Sequence, residues 1–143
     1  AENYPLFRLL LSFYRHIGQI QVPEAFVAYY ELKLMSILGY EPNLAHCNQC
    51  GLDFTDQVAC FSEQEHGVFC VDCSDRNSLR LDSPTFNKLS KLQDTQPSQL
   101  SEFSFSQNQL HDIRTVITHL LQHVAERELR SSAFISQVSK LVS

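Results

Sequence analysis

Apolar residues recur at helical spacing from the start of the chain. Leu6, Leu9, Leu10, Phe13 and Ile17 form one stripe between Tyr4 and Gln19, and Gly18 stands where it stops, which predicts an amphipathic helix. A second helix is predicted from Pro23 to Leu38. Proline suits a first helical position, and Phe26, Tyr30, Leu34 and Leu38 share a stripe widened by Ala25, Tyr29, Leu32 and Ile37. Gly39 closes it and Pro42 blocks its resumption. A stripe this wide marks the central helix of a bundle. Ser83-Pro84 reads as a cap followed by an N1 proline, opening a helix with Phe86, Leu89 and Leu92 inward. Thr95 to Phe105 reads as a linker. Ser106 and Gln109 have capping-box spacing, ahead of the long stripe Leu110, Ile113, Val116, Ile117, Leu120, Leu121, Val124. A last short helix, about Ser132 to Leu141, carries Phe134, Ile135, Val138 and Leu141. The expected fold is mainly α, a helical bundle interrupted after its second helix.

The interruption, residues 41–75, has another pattern. Short apolar runs at Val58–Phe61 and Val68–Phe69 flank a turn at Ser62–Gly67, and two cysteine pairs bracket the whole: Cys47 with Cys50, and Cys70 with Cys73. This C-x2-C-x19-C-x2-C spacing is that of a tetrathiolate zinc site. Two residues between thiols let a tight turn aim both sulfurs at one ion, and nineteen between the pairs suffice for a hairpin. Gly51, directly after the first pair, supplies the backbone freedom such a knuckle needs. The expected unit is an inserted four-cysteine zinc hairpin of zinc-ribbon type, holding one structural Zn2+. Two CxxC disulfides, or a redox dithiol, are the competing readings. Cys60, alone in an apolar run, reads as a packing thiol. His66 and His46 flank the knuckles as weaker alternative ligands.

Charge limits what the zinc is for. From Glu41 to Asp75 there are seven acids and no Lys or Arg, and four thiolates on a dication add a formal charge of about −2. A DNA-reading finger is basic, because phosphate neutralisation supplies most of its affinity. The net charge of −5 offers no global attraction to nucleic acid either. With 143 residues, 43% of them hydrophobic, the chain can bury one ordinary core with room for a satellite. No apolar run is long enough to span a membrane. Without a secretion signal, paired CxxC motifs fit a reducing, cytoplasmic setting. The chain starts at Ala1 and enters a helical pattern almost at once, as a segment of something longer would.

Catalytic patterns are missing: no glycine-rich phosphate loop, no G-x-S-x-G, no H-E-x-x-H. A closed tetrathiolate also leaves no position for a reacting water. His119 and His123, at i and i+4 on the long helix with His111 a little earlier, are a possible metal pair but fit an exposed flank better. The chain is expected not to be an enzyme.

Longer strings go beyond spacing. Tyr30-Glu31-Leu32-Lys33-Leu34-Met35-Ser36-Ile37-Leu38-Gly39-Tyr40-Glu41-Pro42 leads into Cys47-x-x-Cys50-Gly51. Phe61-Ser62-Glu63-Gln64-Glu65-His66-Gly67-Val68-Phe69-Cys70 leads into Cys73, and Leu120 to Phe134 forms a closing phrase. Together these resemble the C-terminal part of the bacterial RecO family, the recombination mediators of DNA repair. The resemblance covers essentially all of residues 1–143, with His66 standing where the family usually has the first of two glycines. The family begins with an OB-fold, a β-barrel that binds nucleic acid, and nothing in these residues reads as one.

The resemblance implies a non-enzymatic mediator in the bacterial cytoplasm, at the nucleoid. Such proteins load recombinase onto strands coated by single-stranded DNA-binding protein (SSB), anneal complementary strands and act with RecR. Single-stranded DNA is then met mainly through the barrel. The helical domain is associated with docking the acidic, phenylalanine-ended tail of SSB, which needs an apolar slot rimmed by basic groups. Arg114, Arg127, Arg130 and Phe134 come nearest to such a slot, with ordinary solvated helix charges as the competing reading. Two other functions are weighed. A zinc-containing DNA-binding or transcription factor would need a basic stripe beside the knuckles. A zinc or dithiol enzyme would need an open coordination position or a low-pKa exposed thiol.

Overall fold

The computed structural model describes residues 24–130, 140 and 141. The segment expected as the first helix, and nearly all of the last one with Phe134, lie outside them.

Helix α1 spans Glu24–Ile37 and contains no Gly or Pro to weaken it. Its end follows from Gly39, whose φ of 88° only glycine adopts freely. The N–H of Gly39 donates to the Ser36 carbonyl at 3.0 Å, and that of Tyr40 to the Met35 carbonyl at 2.8 Å. These are the paired bonds of a Schellman stop. Val27, Ala28, Tyr29, Leu32, Leu34 and Met35 are buried, while Tyr30 and Ile37, expected on the stripe, are exposed. Glu31 takes a buried place instead, fully enclosed. Its carboxylate pairs with Arg114, a cation that lies 83 residues away.

Three short antiparallel strands follow in the order β2-β1-β3: β1 at Ala59–Ser62, β2 at Gly67–Phe69 and β3 at Leu79–Leu81. Phe61 on the central strand faces Val68 on one side and Leu79 on the other. The third strand adds to the expected two-stranded hairpin. Its Leu-Arg-Leu alternation places Leu81 in the core and leaves Arg80 exposed.

Helix α2, Ser83–Asp94, is capped one residue earlier than the sequence suggested. The Asp82 carboxylate, rather than Ser83, accepts the N–H of Thr85 at 2.8 Å. Residues 97–102 form a 3-10 turn with Leu100 buried, so the expected linker is partly structured. Helix α3, Gln107–Arg130, begins with the capping box its sequence predicts. Gln109 N–H donates to Ser106 Oγ at 3.1 Å, and Ser106 N–H to Gln109 Oε1 at 3.0 Å.

The described residues are thus mainly helical around a small sheet. Helix α3 packs chiefly on α1, burying Ile113, Val116, Ile117, Leu120 and Val124. Residues 41–75 are no satellite. Leu44, Phe54, Phe61 and Val68 join the same apolar cluster as α1, α2 and α3, and Phe54 meets Phe86 edge-on at 5.0 Å. Each such buried ring contributes on the order of 2 kcal/mol. No helix among the described residues is long and apolar enough to cross a membrane.

Candidate metal centre and its surroundings

The first knuckle is built around Asn43. Its side-chain oxygen accepts the N–H groups of Ala45 and His46 at 3.1 and 3.2 Å. Its amide nitrogen donates to the His46 carbonyl at 2.9 Å and to Asn48 Oδ1 at 2.7 Å. The chain then turns back: Cys47 N–H donates to Leu52 O at 2.9 Å, and Gly51 N–H to Cys47 O at 3.0 Å. Gly51, at φ 78°, makes that reversal possible. The second knuckle is a single 3-10 turn, Val71–Cys73, with Cys73 N–H on Cys70 O at 3.1 Å. Asn48 N–H donates to Val68 O at 2.9 Å, holding the first knuckle against the strand that leads into the second. A side chain at Gly67 would run into the Asn48 amide, so glycine permits this approach.

This backbone gathers four sulfurs. Those of Cys47, Cys50, Cys70 and Cys73 all lie within 4.8 Å of one another, and no other group of possible ligands does so among the described residues. Cys50 and Cys70 Sγ are 3.7 Å apart. Four sulfurs about 2.3 Å from one ion in a tetrahedron stand about 3.8 Å from each other, whereas a disulfide needs about 2.05 Å. The spacing fits a tetrahedral metal, and all five cysteines are free thiols. Burial works to raise the Cys47 thiol. The N–H groups of Cys50, Cys70 and Gln49 outweigh it and bring the thiol down to about 6. Cys73 is pushed up to about 12, first by its hydrogen bond with the Cys70 thiol and then by burial. Unaided, Cys47 ionises well before Cys73, whose thiol the Cys47 charge helps to hold up. A dication would ionise all four.

The other candidate ligands stand apart. Cys60 is buried in β1, outside the quartet. His46 pairs with Asp53 in an isolated bridge. His66 turns toward α3, where its ring stacks on His123 with centroids 3.6 Å apart and contacts His119. His119 and His123 are half-buried rather than on an exposed flank, whereas His111 is exposed. The i, i+4 pair was visible in the sequence, but nothing local announced that His66 would meet it.

The arginines are dispersed. Arg114 closes on Glu31. Arg127, thirteen residues further along α3 or about 20 Å, sits over the Tyr40 ring at 5.4 Å. Tyr40 has its hydroxyl bonded to the buried Glu128, and burial first, then this bond, raises its pKa. Arg130 is exposed at the end of α3. Beside Arg127 opens a cleft of about 350 Å3 between α3 and the chain after α1, lined by apolar Met35, Pro42, Leu120 and Val124. Glu41 and Glu65 also border it.

A mainly helical domain carrying a four-cysteine, metal-competent knuckle pair is the class this geometry defines. Residues 1–133 match the family described as "Recombination protein O C terminal". The chain belongs to that RecO C-terminal family. It is 32% identical to the DNA repair protein RecO of Roseiflexus sp. over 99% of this chain and 51% of that protein. It is 26% identical to the one from Syntrophotalea carbinolica over 95% and 53%, and 24% identical to the one from Desulforamulus reducens over 96% and 54%. The chain thus spans about half the length of these curated relatives. No solved structure matches it.

Proposed function

We propose that this chain is the helical and zinc-bearing part of a RecO-type mediator of DNA repair and recombination, acting without catalysis in the bacterial cytoplasm. The family match over residues 1–133 carries this reading. In it, residues 41–75 form a zinc-ribbon-like insertion in the helical domain, and Cys47, Cys50, Cys70 and Cys73 hold one Zn2+ as a structural staple. The 3.7 Å sulfur separation supports that ligand set. The acidic composition of the insertion argues against the alternative of a zinc-containing DNA-binding or transcription factor, which would need basic groups there.

Partners follow from the family: SSB through its tail, RecR, and single-stranded DNA mainly through the OB-fold that accompanies such a domain. The cleft beside Arg127 suits the tail best. Leu120, Val124 and Met35 give an apolar floor for a terminal phenylalanine, and Arg127 gives donors for carboxylates, with the exposed Arg130 one turn further along α3. Glu41 and Glu65 across the cleft would orient the acidic part of the peptide toward the arginines. Arg114, already engaged by Glu31, supports the bundle rather than this rim.

The test is titration of a fluorescent peptide, acidic and ending in phenylalanine as in the SSB tail, into the zinc-loaded chain. Arg127→Ala should weaken binding about tenfold, the worth of a charge-assisted hydrogen bond, and Arg130→Glu should weaken it further. Zinc content and helicity should stay unchanged. Unaltered affinity in both variants would place the peptide elsewhere, and no binding by the wild-type chain would remove the docking reading.

A further inference from the structure

Three imidazoles meet where the tip of the cysteine hairpin lies against α3. His119 Nε2 stands 2.8 Å from the carbonyl oxygen of Glu63 and 3.2 Å from Nδ1 of His66. The His66 ring lies nearly parallel to that of His123, 10° between planes at 3.6 Å. Phe61 of β1 meets the His119 ring edge-on at 5.6 Å. His66 reaches this position from a left-handed backbone with φ 56°, a conformation that costs a residue other than glycine about 1 kcal/mol.

Hydrogen-bond chemistry fixes the protons. A carbonyl oxygen only accepts, so Nε2 of His119 must carry a hydrogen. Nδ1 of His66 faces that same N–H and can only accept from it, which makes His66 neutral, with its own hydrogen on Nε2. A proton added at Nδ1 would set two donors against each other at 3.2 Å. A proton on His123 would place a cation against the His66 ring, one turn from Arg127.

The surrounding charges do not reverse this preference. Glu63 and Glu65 on the hairpin, Glu41 and Tyr40 after α1, and Glu126 on α3 lie around the group. Burial first, then His66, Arg127 and His119, outweigh Glu126 and hold His123 below its ordinary value of 6.5. A shared metal does not account for the arrangement. Imidazole lone pairs lie in the ring plane, so parallel stacked rings cannot aim at one ion.

We propose that His66, His119 and His123 form a proton-operated latch, closed when neutral, that fastens the hairpin tip to α3 and lets it go on acidification. The closed form binds protons less readily than the open form. Closure is therefore complete above pH 6.5 and lost as pH falls through the lowered folded value. Because Glu65, His66 and His123 line the cleft beside Arg127, release would also reshape that cleft. The latch does not depend on which partner the cleft takes.

The experiment uses the full chain loaded with one equivalent of zinc. Histidine ring signals are followed by NMR from pH 8 to 5.5. Amide hydrogen exchange at residues 62–67, corrected for intrinsic rates, and zinc retention are measured on the same samples. His123 should titrate below its ordinary value. Protection at the tip should fall between pH 8 and pH 5.5 while zinc stays bound. His66→Gly, which suits the left-handed backbone, should leave the tip weakly protected at every pH. His123→Phe, which keeps a ring in the stack without a titrating group, should shrink the fall. Four results would overturn the latch: ordinary titration of His123, an undiminished fall in His66→Gly, loss of protection only in step with loss of zinc, or a second tightly held metal equivalent that His123→Phe abolishes.

Discussion

Arg114 on α3 closes its guanidinium on the carboxylate of Glu31, a side chain of α1 with no exposure to solvent. This joins the two helices that pack most extensively. Removing Arg114 takes its cation from a carboxylate in the core, and breaking a buried pair in this way costs about 3–5 kcal/mol. Arg114→Ala should therefore lower the melting temperature sharply. The paired replacement Glu31→Leu with Arg114→Met should recover most of the loss. Thermal melts of the wild type and the two variants decide this, and a wild-type melt for Arg114→Ala would show that the pair holds little.

Metal analysis of the native chain should give about one equivalent of zinc, and Cys47→Ser or Cys70→Ser should lose it. Structural zinc contributes on the order of 10 kcal/mol where it orders a small module. Here Phe54 and Phe61 share the helical core, so chelation should shift one common calorimetric transition downward. Two separate peaks would show that the hairpin melts on its own. Cys60→Ala should keep its metal and lose on the order of 1 kcal/mol, as removal of a packed sulfur does.

DNA binding by this chain alone should be weak. Seven acids and no Lys or Arg occupy residues 41–75, and phosphate binding requires the opposite sign. Titration of a fluorescent single-stranded oligonucleotide at moderate salt should show affinity no tighter than about 1 µM, the range of non-specific contacts. Submicromolar binding with a steep salt slope would reveal a basic groove assembled from distant residues.

Asp82 caps α2, and its carboxylate is held below the ordinary 3.8 by its hydrogen bonds with Thr85, the side chain first and then the backbone N–H. A lowered folded pKa means a contribution present above 3.8 and lost as pH falls through the folded value. Asp82→Ala should cost about 1 kcal/mol at neutral pH. The gap between variant and wild type should narrow in acid, as melts at pH 7 and pH 3 would check.

Local chemistry is what the sequence made legible. The Ser106 and Gln109 capping box, the stop at Gly39, the cysteine spacing and the stripe of α3 each depend on residues within a turn or two of one another, and each appears as expected. Asp82 displaced Ser83 as cap because both can accept an N–H, and only the backbone decides between them. Strand β3 was overlooked because three residues give periodicity too little room. The burial of Glu31 was invisible because its partner lies 83 positions away, and in sequence it looks like any solvated helix glutamate. His66 meeting His119 across 53 positions was hidden for the same reason. The four-cysteine set was readable because its geometry lies within two short turns. That Arg114 closes on Glu31 while Arg127 covers Tyr40 needed the helix packing.

The bond from Asn48 N–H to Val68 O bears on how quickly the chain folds. Helices α1 and α3 must find each other across a long intervening stretch, and the search slows as the open loop between them lengthens. By fastening the two knuckles together, this bond turns part of that stretch into a closed side loop, and the effective tether becomes the shorter path around it. A bound ion would lock the same shortcut. Refolding of the chain should accordingly be faster with metal present than with chelator, with the acceleration appearing in the step that brings Glu31 to Arg114.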